Sequence, residues 1–254
     1  MAGGAVLITC ALFTPATAAA DNPCGDVLGG DWSFQDGACT TSVTSVREAN
    51  MTMSVGLPLE LTDDPTAGPP IRSYLAGRTE AWRKNAATMV RASDSSLDYQ
   101  AFSRGSLRSV VFHEFQQTVG NMANNGYRTF TFDLSRGRQV QLADLVKPGV
   151  DPLTALPPLI RPYLSEALDR AAPPHDPGTY PFTPAEFEPQ PDGSGYAGDY
   201  RAFAVTPDEL ILYLPDLPMT HENPWPTDRL VWSMDGGTVT VRVPLTALTP
   251  VLAI

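Results

Sequence analysis

Positive charge is scarce in this sequence. Its 254 residues hold 17 Lys and Arg against 28 Asp and Glu, a formal net charge of -11, and no basic run exceeds two residues. Without a basic stripe there is little to displace counterions from phosphates, which argues against nucleic acid and anionic lipid as partners. Histidine is scarcer still, at three, and neither an H-x-x-x-H nor a C-x-x-C spacing occurs. No metal site and no cofactor is therefore expected. The G-x-S-x-G elbow of many hydrolases is also missing. Long apolar runs are absent after residue 20, so no integral membrane segment is expected in the mature chain. The whole chain is 43% hydrophobic and only 18% charged, the composition of one that folds around a core.

Residues 1–20, MAGGAVLITCALFTPATAAA, are uncharged, apolar, interrupted by Pro15, and end in Ala18-Ala19-Ala20. That pattern predicts a signal peptide cleaved near Ala20, although its start carries no Lys or Arg. Thr9 precedes Cys10, where lipidation would want a small residue. Secretion, or residence on the cell wall, is the expected localisation. Removing the leader leaves Cys24 and Cys39, an even pair in an exported chain. They predict a disulfide closing an N-terminal loop within 21–40, worth about 3 kcal/mol in the chain-entropy model.

Beyond that loop, TSVTSVREANMTMSVGLPLEL alternates and reads as one or two strands ending at Pro58. Ile71, Leu75, Trp82, Ala86 and Met89-Val90 recur at helical spacing, predicting a helix over about 70–92. Residues 96–120 return to period two, as two strands meeting at Arg104-Gly105-Ser106. In YRTFTFDLSRG, Phe130, Phe132 and Leu134 share one face and Thr129, Thr131 and Asp133 the other, the pattern of a sheet with one buried side. Gly137 supplies the positive φ of a tight corner, and Asp144 marks the start of a short turn. A second helix in 151–171 carries Leu156, Leu159-Ile160, Tyr163-Leu164 and Leu168 on one stripe, with Pro162 placed to kink it or delay its start. Residues 172–199 are a Pro/Gly-rich loop, YRAFAVTPDELILYLP is a hairpin turning at Pro207-Asp208, and TVTVRVPLTAL is a late strand. The expected fold is α+β: a mostly antiparallel, twisted sheet packed by two principal helices. A strand-helix-strand lobe over 41–120 would precede a C-terminal α/β domain over 121–254.

The succession YRTFTFDLSRGRQVQLADLVKPGVDPL, RPYLSEAL, YRAFAVTPDELILYLP and VRVPLTALTPVLAI resembles the mycobacterial secreted immunogenic protein family of the MPT-sixty-four type. That family shares its C-terminal domain with the ectodomain of a lysozyme-sensing anti-sigma factor. The match covers about 105–254 well. It is carried by Tyr127, Phe130, Asp133-Leu134, Gly137, Leu142, Asp144-Leu145, Pro148-Gly149, Phe203, Thr206, Asp208, Leu210-Ile211 and Tyr213. The resemblance implies an exported antigen with a mixed α/β fold, and for one branch an esterase activity. It departs at 215–237, where Pro and Trp replace the acidic and glycine pattern of relatives.

An ester hydrolase of the serine type would need a hydroxyl, a base and an orienting acid within reach of one another. The candidates are Ser194, in a loop without elbow context, and His221 with Glu222, beside a Trp225 that could exclude water. His113 and Glu114 are strand neighbours pointing to opposite faces, and His175 sits in a polar, solvated corner. The competing expectation is a protein-interaction module, with Tyr180, Phe182, Tyr196 and Trp225 as aromatic anchors. The acidic balance then favours a cationic envelope or host protein as partner.

Overall fold

The computed structural model describes residues 22–121, 123–171, 174–189, 196, 198–215, 231–233 and 238–254. The expected signal peptide lies outside them. At the N-terminus, helix α1 (Pro23–Leu28) is capped by Asn22, whose side chain accepts from the Cys24 amide at 3.1 Å. Strand β1 (Ser33–Gln35) then turns through Asp36-Gly37, both at positive φ, into β2 (Ala38–Thr44). Two residues of positive φ match the twist of antiparallel strands, and Asp-Gly is a pair that supplies them. Cys24 and Cys39 are joined as a disulfide, tying α1 to β2.

β3 (Asn50–Gly56) pairs antiparallel with β2 and parallel with β4 (Ser93–Arg104). A parallel pair needs a crossover, and the chain between them provides one in the short α2 (Leu59–Thr62) and the long α3 (Gly68–Ala86). The helix stops at Ala86, six residues short of the expected end. The amides of Thr88 and Met89 bond back three residues, to Asn85 and Ala86, and the chain leaves the helix to reach the start of β4. Ile71, Leu75, Trp82 and Ala86 are buried against Met53, Val55, Leu97, Phe112, Phe130 and Phe132.

β4 and β5 (Leu107–Thr118) form a twelve-pair hairpin around Gly105-Ser106, with Gly105 at φ 54°. β6 (Asn124–Asp133) pairs with β5, so the turn near residue 121, where the sequence divides two lobes, joins neighbours in one sheet. β7 (Arg138–Gln139) folds back on the end of β6 through Gly137 at φ 61°. A 3-10 turn, Leu142–Asp144, follows; Asp144 ends rather than begins it, accepting from the Gln141 amide at 2.7 Å as a cap. β10 (Val231–Ser233) completes the eight-stranded sheet at the far side of β6.

A second sheet was not expected. β8 (Phe203–Val205), β9 (Glu209–Pro215) and β11 (Thr238–Pro244) form it in the order β11-β9-β8, and the expected hairpin at Pro207-Asp208 lies within it. The second helical segment divides into α4 (Pro152–Ala155) and α5 (Pro157–Asp169), broken at Leu156, while α5 runs through Pro162 from its start at Pro157. The two long helices therefore do not share a sheet: α3 covers the large one, and α5 packs Ile160, Leu164 and Leu168 against Leu210, Leu212, Leu214 and Val241 of the small one.

The face of β6 expected to meet solvent is buried as well. Thr129, Thr131 and Asp133 are 4%, 2% and 7% exposed. The edge of β8 rests on that face: the Phe203 amide donates to Thr129 Oγ1 at 3.1 Å and the Val205 amide to Ser109 Oγ at 3.0 Å. Hydroxyls on the sheet surface thus satisfy an edge that would otherwise carry unpaired donors. The fold is α+β, with a mostly antiparallel large sheet whose second face is covered where β8 lies on β5 and β6, while alternate residues of β3 and β4 remain exposed.

Candidate functional site

Past the covered Ser/Thr patch, the large sheet and the small sheet diverge and leave a cleft of about 360 Å³. Its floor is set by strand register. The two-residue loop at Gly105-Ser106 places Asp98 of β4 opposite His113 of β5, and His113 in turn opposite Tyr127 of β6. Residues directly opposite in antiparallel strands share a face with their Cβ atoms about 5 Å apart. Carboxylate, imidazole and phenol therefore form one lateral row.

The wall comes from the small sheet. Tyr213 stacks on Tyr127 with ring centroids 4.9 Å apart and planes at 26°, and the His113 ring also lies 4.9 Å from Tyr127. Thr240 of β11 is paired opposite Tyr213, and Arg242, two residues on, shares its face. Arg242 is held by Glu209 at 2.9 Å. Burial pushes the phenols of Tyr127 and Tyr213 up, in Tyr213 against the pull of the Arg242 guanidinium. His113 Nε2 lies 2.8 Å from the Asn125 side-chain oxygen, so the imidazole is held by an amide and a ring. Glu114, as the strand alternation requires, points the other way and pairs with Arg78 of α3.

Of the sequence candidates among the described residues, only His113 lines this cleft. Ser194, His221, Glu222 and Trp225 lie outside the described residues. Tyr180 and Phe182 are half-buried against the core of the small sheet, with His175 5.3 Å from the Tyr180 ring rather than in a solvated corner. Tyr196 is 4% exposed and lies 5.9 Å from the ring of Tyr200, so it belongs to the core and presents no surface to a partner. Aromatic residues in a long loop are pulled inward by the same burial that would make them good anchors. The cleft residues Asp98, Tyr213 and Arg242 were not among the sequence candidates; the two-residue turn, counted outward, would have paired Asp98 with His113.

A second feature lies at the disulfide. Asp26, Asp31 and Asp36 are exposed there, and no Lys, Arg or His occurs from 22 to 46. β1 pairs with β2 alone among the described residues, and its Phe34 is 40% exposed. Arg83 reaches up from α3 to the Gly29 carbonyl at 3.0 Å and over the Trp32 ring, fixing the hairpin to the body. Among the described residues, no helix is long and apolar enough to cross a membrane, and no group of His, Cys, Asp and Glu could hold a metal ion.

No protein-family model matches the sequence, and no curated protein matches it. Solved structures that match this chain include a DUF3298 family protein from Pseudomonas aeruginosa PAO1. It is 12% identical, with a TM-score of 0.48, over 85% of this chain and 93% of that one. A DUF3298 family member from Bacteroides fragilis is also 12% identical, with a TM-score of 0.46, over 89% and 95% of the two chains.

Proposed function

We propose that this chain is exported and acts outside the cell, in solution or on the cell wall, as an interaction module for a cationic protein. The observation that carries this reading is the clamped N-terminal hairpin. Three exposed aspartates, no base of its own, and an exposed phenylalanine on an open strand edge form a surface with both charge and an apolar anchor. Opposite charge speeds encounter, and a buried aromatic supplies much of the holding energy. The disulfide and Arg83 keep that surface ordered before binding, which lowers the entropy lost on association.

Ester hydrolysis is the competing activity. In the described cleft the imidazole of His113 is engaged by Asn125 and Tyr127, and no serine among the described residues lines the cleft, which supports the binding reading. The test is capture of a small, strongly cationic protein by the mature chain at graded salt, beside the same protein with its lysines acetylated. Retention that weakens with salt, and is lost in an Asp26→Asn, Asp31→Asn, Asp36→Asn variant, is the expected result. Salt-insensitive or absent capture, together with turnover of a p-nitrophenyl ester that His221→Ala abolishes, would replace this reading with the hydrolase.

A further inference from the structure

We infer that the cleft between the two sheets is a binding site for a neutral, polyhydroxylated ring, a saccharide of one or two units. This goes beyond the protein-docking reading and does not depend on it. The cleft, at about 360 Å³, lies within the roughly 300–1,000 Å³ of small-molecule sites and is too small for a folded partner.

Its chemistry selects the class. Asp98 on the floor only accepts hydrogen bonds, Arg242 on the wall only donates, and Gln100 and Thr240 do both. A sugar hydroxyl donates and accepts at once, so a ring with several of them can use every one of these groups. The stack of His113, Tyr127 and Tyr213 closes the apex, where the half-buried rings of His113 and Tyr127 leave aromatic edges for the C–H groups of such a ring. Charged ligands fit less well. An anion would meet the Asp98 carboxylate, and Glu209 already holds one nitrogen of Arg242 at 2.9 Å, whereas a hydroxyl can accept from the remaining donors of that guanidinium without repulsion from either carboxylate. A cation could use Asp98 but would sit beside the Arg242 guanidinium.

Burial falls from the apex to the lips. Tyr213 is 4% exposed, while Asp98 and Gln100 are exposed on the floor. A flat, partly apolar ring with polar edges matches that gradient, with its edge hydroxyls meeting the lips.

The test is titration of the mature protein with maltose, lactose and N,N′-diacetylchitobiose, followed by amide shifts in an NMR spectrum. L-arginine amide, glycine and citrate serve as charged comparators. The expected result is saturation by at least one disaccharide, with shifts centred on His113, Tyr127 and Tyr213, unchanged between low and high salt. Asp98→Ala, a change at an exposed position that leaves the core intact, should weaken that binding tenfold or more, and Gln100→Ala should weaken it as well. No saturation by any disaccharide, saturation unaffected by Asp98→Ala, or tighter binding of a charged comparator would each overturn the inference.

Discussion

Ser109 Oγ accepts the Val205 amide at 3.0 Å while lying 2.8 Å from Thr131 Oγ1, so one hydroxyl joins two strands of the large sheet to the edge of the small one. Among the described residues Val205 has no other strand on that side, because β8 is the last in its order. Packing between sheets normally relies on interdigitated apolar side chains. Here a polar seam accompanies them, with Val111, Ala204, Ile211 and Tyr213 clustered beside it.

Removing that seam should loosen the two sheets. Thr129→Val leaves the buried Phe203 amide without its acceptor, and Ser109→Ala does the same to Val205. Each change should cost about 1–3 kcal/mol, the penalty of an unsatisfied buried donor. Urea unfolding of each single variant measures it, and amide exchange at Phe203 and Val205 should quicken selectively.

The cysteine pair should contribute through the unfolded chain. Replacing both Cys24 and Cys39 by Ser should lower stability by about 3 kcal/mol, as expected for a loop of this length. The shift in urea midpoint between the oxidised protein and the double variant gives the value.

Acid should weaken the corner between β6 and β7. Hydrogen bonds from Ser135 and Ser106 hold the Asp133 carboxyl below its ordinary value, and Arg138 does the same for Asp144. A carboxyl with a lowered folded pKa stabilises the fold fully above its unfolded value, about 3.9, and loses that contribution as pH falls through the folded value. Stability should therefore decline below about pH 4. Asp133→Asn should flatten the decline, as read from urea midpoints at successive pH.

Alkali should act through four tyrosines. Burial raises Tyr127, Tyr196, Tyr200 and Tyr213. Below the ordinary value of about 10 these phenols are neutral in both states and add no pH dependence. Above it the unfolded chain ionises first, so stability is lost as pH rises toward the folded values. Phenolate absorbance should then appear in two steps, the exposed rings first and the buried set together with unfolding.

The two phenylalanines on opposite kinds of strand should behave in opposite ways. Phe130 is 3% exposed beneath α3, whereas Phe34 is 40% exposed on the edge strand. Phe130→Ala should cost about 3–5 kcal/mol, and Phe34→Ala within about 0.5 kcal/mol of nothing. Thermal denaturation distinguishes them.

Much of the local structure was legible in the residues. The β4-β5 hairpin, the corner at Gly137, the hairpin at Pro207-Asp208, the stripe from Ile71 to Ala86 and the pairing of Cys24 with Cys39 are all short-range matters. They are governed by turn chemistry, side-chain period and the closure of short loops. The register that sets Asp98 beside His113 was readable in the same way, since a two-residue turn leaves no slack.

The sequence by itself determined which faces are greasy and where the chain turns, because side-chain period and backbone strain act within a few residues. It could not say that the Thr129 and Thr131 face is covered. A row of hydroxyls reads as solvent-facing unless a distant strand edge arrives to use it, and β8 lies more than seventy residues away. Only the tertiary structure decided that there are two sheets, that α5 belongs to the second, and that Tyr127 meets Tyr213 at the cleft. Those contacts depend on how separately formed pieces dock, where packing and hydrogen-bond satisfaction across the whole chain select one arrangement.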